Sequence, residues 1–100
     1  MKEPSMLFAI HALDRKGALD TRLANYDAHK AFLSDTAPHG VKIVMSGPLV
    51  AADGTTMIGS LFVVEAEDLA TVERFNAADP FHKAGIWERV SITGFIRRQG

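Results

Sequence analysis

Residues 41–65, VKIVMSGPLVAADGTTMIGSLFVVE, decide how this chain folds. Val41 to Ser46 is a short run rich in β-branched and apolar residues, closed by Gly47-Pro48, and it reads as a strand. Thr56 to Glu65 reads as another. Between them Asp53-Gly54 is a strong hairpin signal, because glycine supplies the positive φ that a tight turn needs. Side chains alternate across a strand, so Met57, Gly59, Leu61 and Val63 face one way and Ile58, Ser60, Phe62 and Val64 the other. Both faces of this central hairpin are largely apolar.

Working outward, Met6 to Leu13 is too short for a buried helix and stops at the turn-like Asp14-Arg15-Lys16-Gly17, so it reads as a strand. From Asp20 or Thr21 the period changes. Leu23, Tyr26, Leu33 and Ala37 recur at helical spacing, which predicts an amphipathic helix ending near Pro38-His39-Gly40. On the other side of the hairpin, Glu67 to Ala77 carries Leu69, Val72, Phe75 and Asn76 as a helical stripe. After Asp79-Pro80, Phe81 to Ala84 makes about one helical turn, Gly85 stops it, and Trp87 to Arg97 alternates as a fourth strand, with Trp87 and Phe95 on one face. The order strand, helix, strand, strand, helix, strand is that of an α+β ferredoxin-like βαββαβ sandwich with a four-stranded antiparallel sheet. One domain spans residues 1–100, with 1–5 and 98–100 as flexible ends. Two helices cover one face of such a sheet; the apolar second face predicts a second copy of the chain, hence a homodimer.

Composition narrows the function. At 100 residues, 47% hydrophobic and 23% charged, there is material for one globular domain. A net charge of −1 with scattered Lys and Arg provides no field for nucleic acid or an anionic membrane surface, so neither is expected as a partner. Without cysteine there is no disulfide framework, thiolate nucleophile or thiolate metal site. The apolar run from Met6 to Leu13 contains His11 and lacks a cleavage signal, so a cytosolic protein is expected.

Two residues could carry chemistry. Asp79 precedes a proline, which favours extended geometry there and a helix start at Pro80, so its side chain should cap that helix. A carboxylate held this way can also orient an imidazole and set which ring nitrogen bears the proton. His29 lies about 40 to 60° from Tyr26 and Leu33 around the predicted helix, on its inward side. It is either a core-edge histidine or a base. Arg22 could neutralise an anionic substrate or pair with Asp14 or Asp20 at the surface. Ser46 and Ser60 sit in no nucleophile-elbow pattern and read as small residues or hydrogen-bond donors. Gly47 either lets backbone approach a ligand or ends a strand. The histidines His11, His29, His39 and His82 show no metal-ligand spacing, so no metal and no cofactor are implied.

Taken together, Leu7-Phe8-Ala9-Ile10, Asp14, Leu19, Arg22-Leu23, His29, Ser46-Gly47-Pro48, Gly59-Ser60, Asp79-Pro80-Phe81, Ala84-Gly85 and Phe95 resemble the YCII (YciI-like) family over Met6 to Arg97. The resemblance implies a dimeric α+β-barrel relative of the ferredoxin-like fold, with a cleft containing a His-Asp pair at His29 and Asp79. Arg22, Ser46, Gly47, Pro48, Ser60 and Phe81 are the candidate substrate-binding residues beside that pair, with His11, a departure from the relatives, as a further candidate. One branch of the family is similar to a dehydrochlorinase of a chlorinated hydroxyquinol. The expectation is therefore cofactor-independent proton abstraction, giving elimination or isomerisation of a small, enolisable or aromatic substrate. The rival is a non-catalytic dimer that binds a small ligand or a partner in the same cleft.

Overall fold

The computed structural model describes residues 5–100, so the expectation for the first four residues lies outside it. Four strands, β1 (Met6–Asp14), β2 (Val41–Val50), β3 (Met57–Ala66) and β4 (Trp87–Phe95), form one sheet in the order β2-β3-β1-β4. Every neighbouring pair is antiparallel. This is the ferredoxin-like α+β arrangement expected from the element order. Among the described residues no helix is long and apolar enough to cross a membrane.

The central hairpin turns as its Asp-Gly pair requires. Gly54 has φ +77°, and the Asp53 carboxylate accepts from the Thr55 and Thr56 amides at 2.9 Å, with the Thr56 hydroxyl also donating to it. These bonds hold the exposed Asp53 carboxyl down at about 2, the Thr56 hydroxyl contributing most. Contrary to expectation, Gly47-Pro48 does not end β2. The strand continues to Val50, because β2 is at the sheet edge, where a proline lacking an N–H need remove no ladder bond. Gly59 has a stricter role: a Cβ there would collide with the Ala12 carbonyl oxygen and reach within 3.0 Å of Leu49.

The register decides which residues meet. Ala12 pairs with Ser60, Ile10 with Phe62 and Phe8 with Val64, so these six share a face. Helix α3 (Leu69–Ala78) packs Val72 and Phe75 onto it, and together they make the main core. Asp68 caps α3 by accepting from the Thr71 amide at 2.9 Å. Leu69, expected in the buried stripe, is exposed at 45% because it occupies the first position of the helix. Trp87 and Phe95 do not share a face. A bulge opposite Leu13 and Asp14 inserts one residue into β4, so Trp87 joins the helix-side core while Phe95 follows Arg89, Ser91 and Thr93 onto the other face.

The first helical region is two helices, α1 (Leu19–Ala24) and α2 (Tyr26–Leu33), followed by a 3₁₀ turn at Ala37–His39. They divide at Asn25, whose amide is shared between the Thr21 and Arg22 carbonyls and whose side chain donates to the Thr21 carbonyl at 2.9 Å. Such local side-chain bonding competes with helix continuation. The inward residues are Ala18, Arg22 and His29, with Phe32 packed against the core. Leu23 and Tyr26, expected to be core, are exposed at 52% and 44%.

Candidate functional site

Helix α4 (Pro80–Lys83) starts at the Asp-Pro turn, and Asp79 caps it from extended backbone by accepting from the Phe81 amide at 2.9 Å. The same oxygen, Oδ1, lies 2.8 Å from His29 Nδ1. A carboxylate only accepts, so Nδ1 is the donor in this contact, and in the neutral ring the lone pair is then on Nε2. The cap and the orienting contact thus coexist on one atom. Asp79 is 1% exposed and His29 7%, so water competes little with this contact. Phe81 completes the clamp: its ring stacks on the imidazole at 3.8 Å and 4°. Phe62 meets the imidazole edge-on at 6.0 Å.

A second buried cluster stands beside the first. Arg22, 3% exposed, donates through Nη1 to both Asp14 oxygens at 2.9 and 3.1 Å. Through Nη2 it donates to the Gly59 carbonyl and to Ser60 Oγ, both at 2.7 Å. Its Cζ lies 4.7 Å over the Phe81 ring, a cation–π contact that ties the two clusters together. The pairing with Asp14 is one of the two expected, but it is buried rather than at the surface. Burial raises the Asp14 carboxyl above the usual carboxylate value and outweighs the nearby Arg22 charge, which lowers it.

Both clusters border one cavity of about 410 Å³, within the size range of small-molecule sites. Of the residues expected around a substrate, Arg22, His29, Ser46, Gly47, Pro48, Ser60 and Phe81 line it. Register explains the grouping, since Ser46 pairs with Phe62 and Pro48 with Ser60, all on the helix side of the sheet. Asp79 stands behind His29 rather than on the wall. His11 is a correction: it pairs with Leu61 and Ser91 and is exposed on the opposite face, so it does not belong to the cavity. Lys30, Met57 and Phe62 line the cavity and were not singled out. Leu23, Tyr26, Lys30 and Leu33 lie at helical spacing and form its helical wall, so the stripe read as core borders a cavity. Among the described residues no three His, Cys, Asp or Glu side chains come together as a metal site.

The profile of the YCII-related domain matches residues 6–96. The chain belongs to that family. It is 33% identical over 95 residues to Protein YciI of Escherichia coli, a match covering 90% of this chain and 96% of that protein. It also resembles a solved structure of 5-chloro-2-hydroxyhydroquinone dehydrochlorinase (TftG) from Burkholderia phenoliruptrix, in complex with 2,5-dihydroxybenzoquinone. There the identity is 36% and the TM-score 0.79, covering 91% of this chain and 94% of that one. A dimeric protein of unknown function and ferredoxin-like fold from Bacteroides fragilis matches at 18% identity and TM-score 0.56, covering 91% and 94%, a likeness of fold alone.

Proposed function

We propose that this YCII-family chain is a cofactor-independent lyase or isomerase in which His29 is the general base and Asp79 positions it. The observation that carries this reading is the 2.8 Å contact between Asp79 and His29 Nδ1, with the imidazole lining the cavity. A carboxylate on Nδ1 favours Nε2 as the proton acceptor and stabilises the imidazolium that forms. Nε2 takes a proton from a carbon or hydroxyl of the substrate, and the electron pair left behind forms a new double bond. In an elimination the leaving group departs with its bonding pair, for a net loss of HX. In an isomerisation the imidazolium returns the proton at another atom.

The likeness to TftG supports a small halogenated hydroquinone as the substrate to try. The mostly apolar wall, with Phe62 and Phe81, suits one aromatic ring. The test is chloride release from 5-chloro-2-hydroxyhydroquinone by wild type and by His29→Ala. Turnover by wild type that drops about 10²-fold or more in the variant supports the base. Ligand-induced stabilisation of both proteins with turnover by neither would favour the binding module instead.

The working unit of this proposal is a homodimer. The face turned away from the helices carries Leu7, Leu13, Leu61 and Val63, with Met45 58% and Phe95 44% exposed, and a second sheet would cover it. Sedimentation of a monomer at micromolar concentration would count against the dimer while leaving the base untouched.

A further inference from the structure

We propose that Ser60, backed by Arg22, is the oxyanion-binding donor of the cavity, and that the ligand it takes carries an ionised or ionising oxygen, a phenolate or an enolate. This deepens the reading above and rests on it for the reaction, although its binding test does not.

Ser60 is 2% exposed, yet it lines the cavity, so what remains open of it opens inward. Its Oγ accepts from Arg22 Nη2 at 2.7 Å. A hydroxyl holds one donor and two acceptor sites, and accepting from a guanidinium strengthens its own O–H as a donor. Among the described residues no acceptor takes that proton. The two NH₂ groups of Arg22 are committed, Nη1 to Asp14 and Nη2 to Gly59 and Ser60, while its Nε is buried without a partner. The NH₂ groups therefore act on a ligand through the serine hydroxyl.

The rest of the wall agrees in sign. Arg22 and Lys30 line the cavity beside the neutral His29, and among the described residues no carboxylate does, because Asp14 lies behind Arg22 and Asp79 behind His29. A neutral phenol oxygen accepts the Ser60 proton only weakly, whereas an oxyanion accepts it strongly and meets the positive end of the cavity. The base and the donor also face the same space: Phe62, two residues along β3 from Ser60 and on the same face, touches the His29 ring. As His29 withdraws a proton, negative charge gathers on the substrate oxygen, where a preorganised donor lowers the barrier.

The experiment measures binding by calorimetry of 2,5-dihydroxybenzoquinone, whose acidic hydroxyls ionise in water, and of neutral hydroquinone. Wild type, Ser60→Ala, Ser60→Cys and Ser60→Thr are compared, each first checked for folding by thermal unfolding. The anion is expected to bind about ten- to a hundredfold more weakly to Ser60→Ala and Ser60→Cys, the scale of a hydrogen bond to a charged group. It should bind Ser60→Thr, which keeps the hydroxyl, within about threefold of wild type, with hydroquinone shifting less than about threefold throughout. Ser60→Cys preserves volume and carries the test if the alanine variant does not fold. Unchanged anion affinity in Ser60→Cys, or an equal loss for the neutral ring, would overturn the proposal. Running the chloride assay on His29→Gln separates the two ideas. Turnover that survives His29→Gln removes the base, while serine-dependent anion binding stands by itself.

Discussion

Arg22–Asp14 and His29–Asp79 are built from similar parts, a side chain from the first helical region and a carboxylate, at the end of β1 in one pair and at the Asp-Pro turn in the other, each buried and joined at 2.8 to 2.9 Å. They differ in what is left over. Both guanidinium NH₂ groups of Arg22 are bonded to protein, whereas His29 uses one nitrogen and turns the other toward the cavity. The guanidinium pair, in which the buried Nε of Arg22 has no partner, fastens α1 to the sheet and supplies a fixed charge, but it cannot exchange protons. The imidazole pair can. The contrast lies in the chemistry of the cation: a guanidinium holds its protons, whereas an imidazole with one nitrogen uncommitted is suited to take one.

The most damaging substitution should fall on the fastening side. Arg22→Ala leaves the Asp14 carboxylate buried without its partner and strips Gly59 and Ser60 of a donor, so we expect a loss of about 3 to 5 kcal/mol in urea unfolding. A loss below about 1 kcal/mol would mean that the pair is not desolvated as described. Gly59→Ala should come next, at about 1 to 3 kcal/mol, because the new Cβ meets backbone of β1 rather than a movable side chain.

The smallest effects are electrostatic and of opposite sign. Asp14 has its carboxyl raised in the fold, so the native state holds that proton more tightly than the unfolded chain, and this contribution to stability falls as pH rises from the ordinary value of 3.8 through the raised one. Asp53 is lowered to about 2, so its contribution is present above 3.8 and is lost as pH falls toward 2. In acid titrations of stability, Asp14→Asn should remove a falling limb and Asp53→Asn a rising one. Identical changes in the two variants would contradict the assigned causes.

The topology was legible because most boundaries carry their own chemistry: Asp53-Gly54 turns, Gly85 stops a helix, and alternation fills both sheet faces, whereas Gly47-Pro48 marks no boundary and lies within β2. The Asp79 cap was equally legible, since proline constrains both itself and its predecessor. Tertiary effects were not. Asn25 divides a helix whose apolar period runs straight through it, and the stripe of Leu23 and Tyr26 has the same spacing whether it faces a core or a cavity. His11 alternates correctly with its neighbours, but alternation does not say which face the helices will cover. Arg22 was misplaced for a related reason. Its partners Gly59 and Ser60 are 37 and 38 residues away, and only the register of β3 against β1 brings them to the helix.

The central claim is that the Asp79 charge, and not merely its capping oxygen, makes His29 a base. Asp79→Asn removes the charge, and because Oδ1 serves both the Phe81 amide and Nδ1, the side-chain amide either keeps its oxygen there and preserves both contacts or turns its NH₂ to Nδ1 and gives up the cap. The measurement pairs turnover with the ¹⁵N spectrum of His29, with thermal unfolding as a control. Our account predicts a folded protein within about 1 kcal/mol of wild type and a rate about 10² to 10⁴ lower, because the imidazolium loses its counter-charge; a ring proton moved from Nδ1 to Nε2 would come with loss of the cap. An unchanged tautomer with turnover intact would leave Asp79 a helix cap and His29 a buried histidine without a reaction.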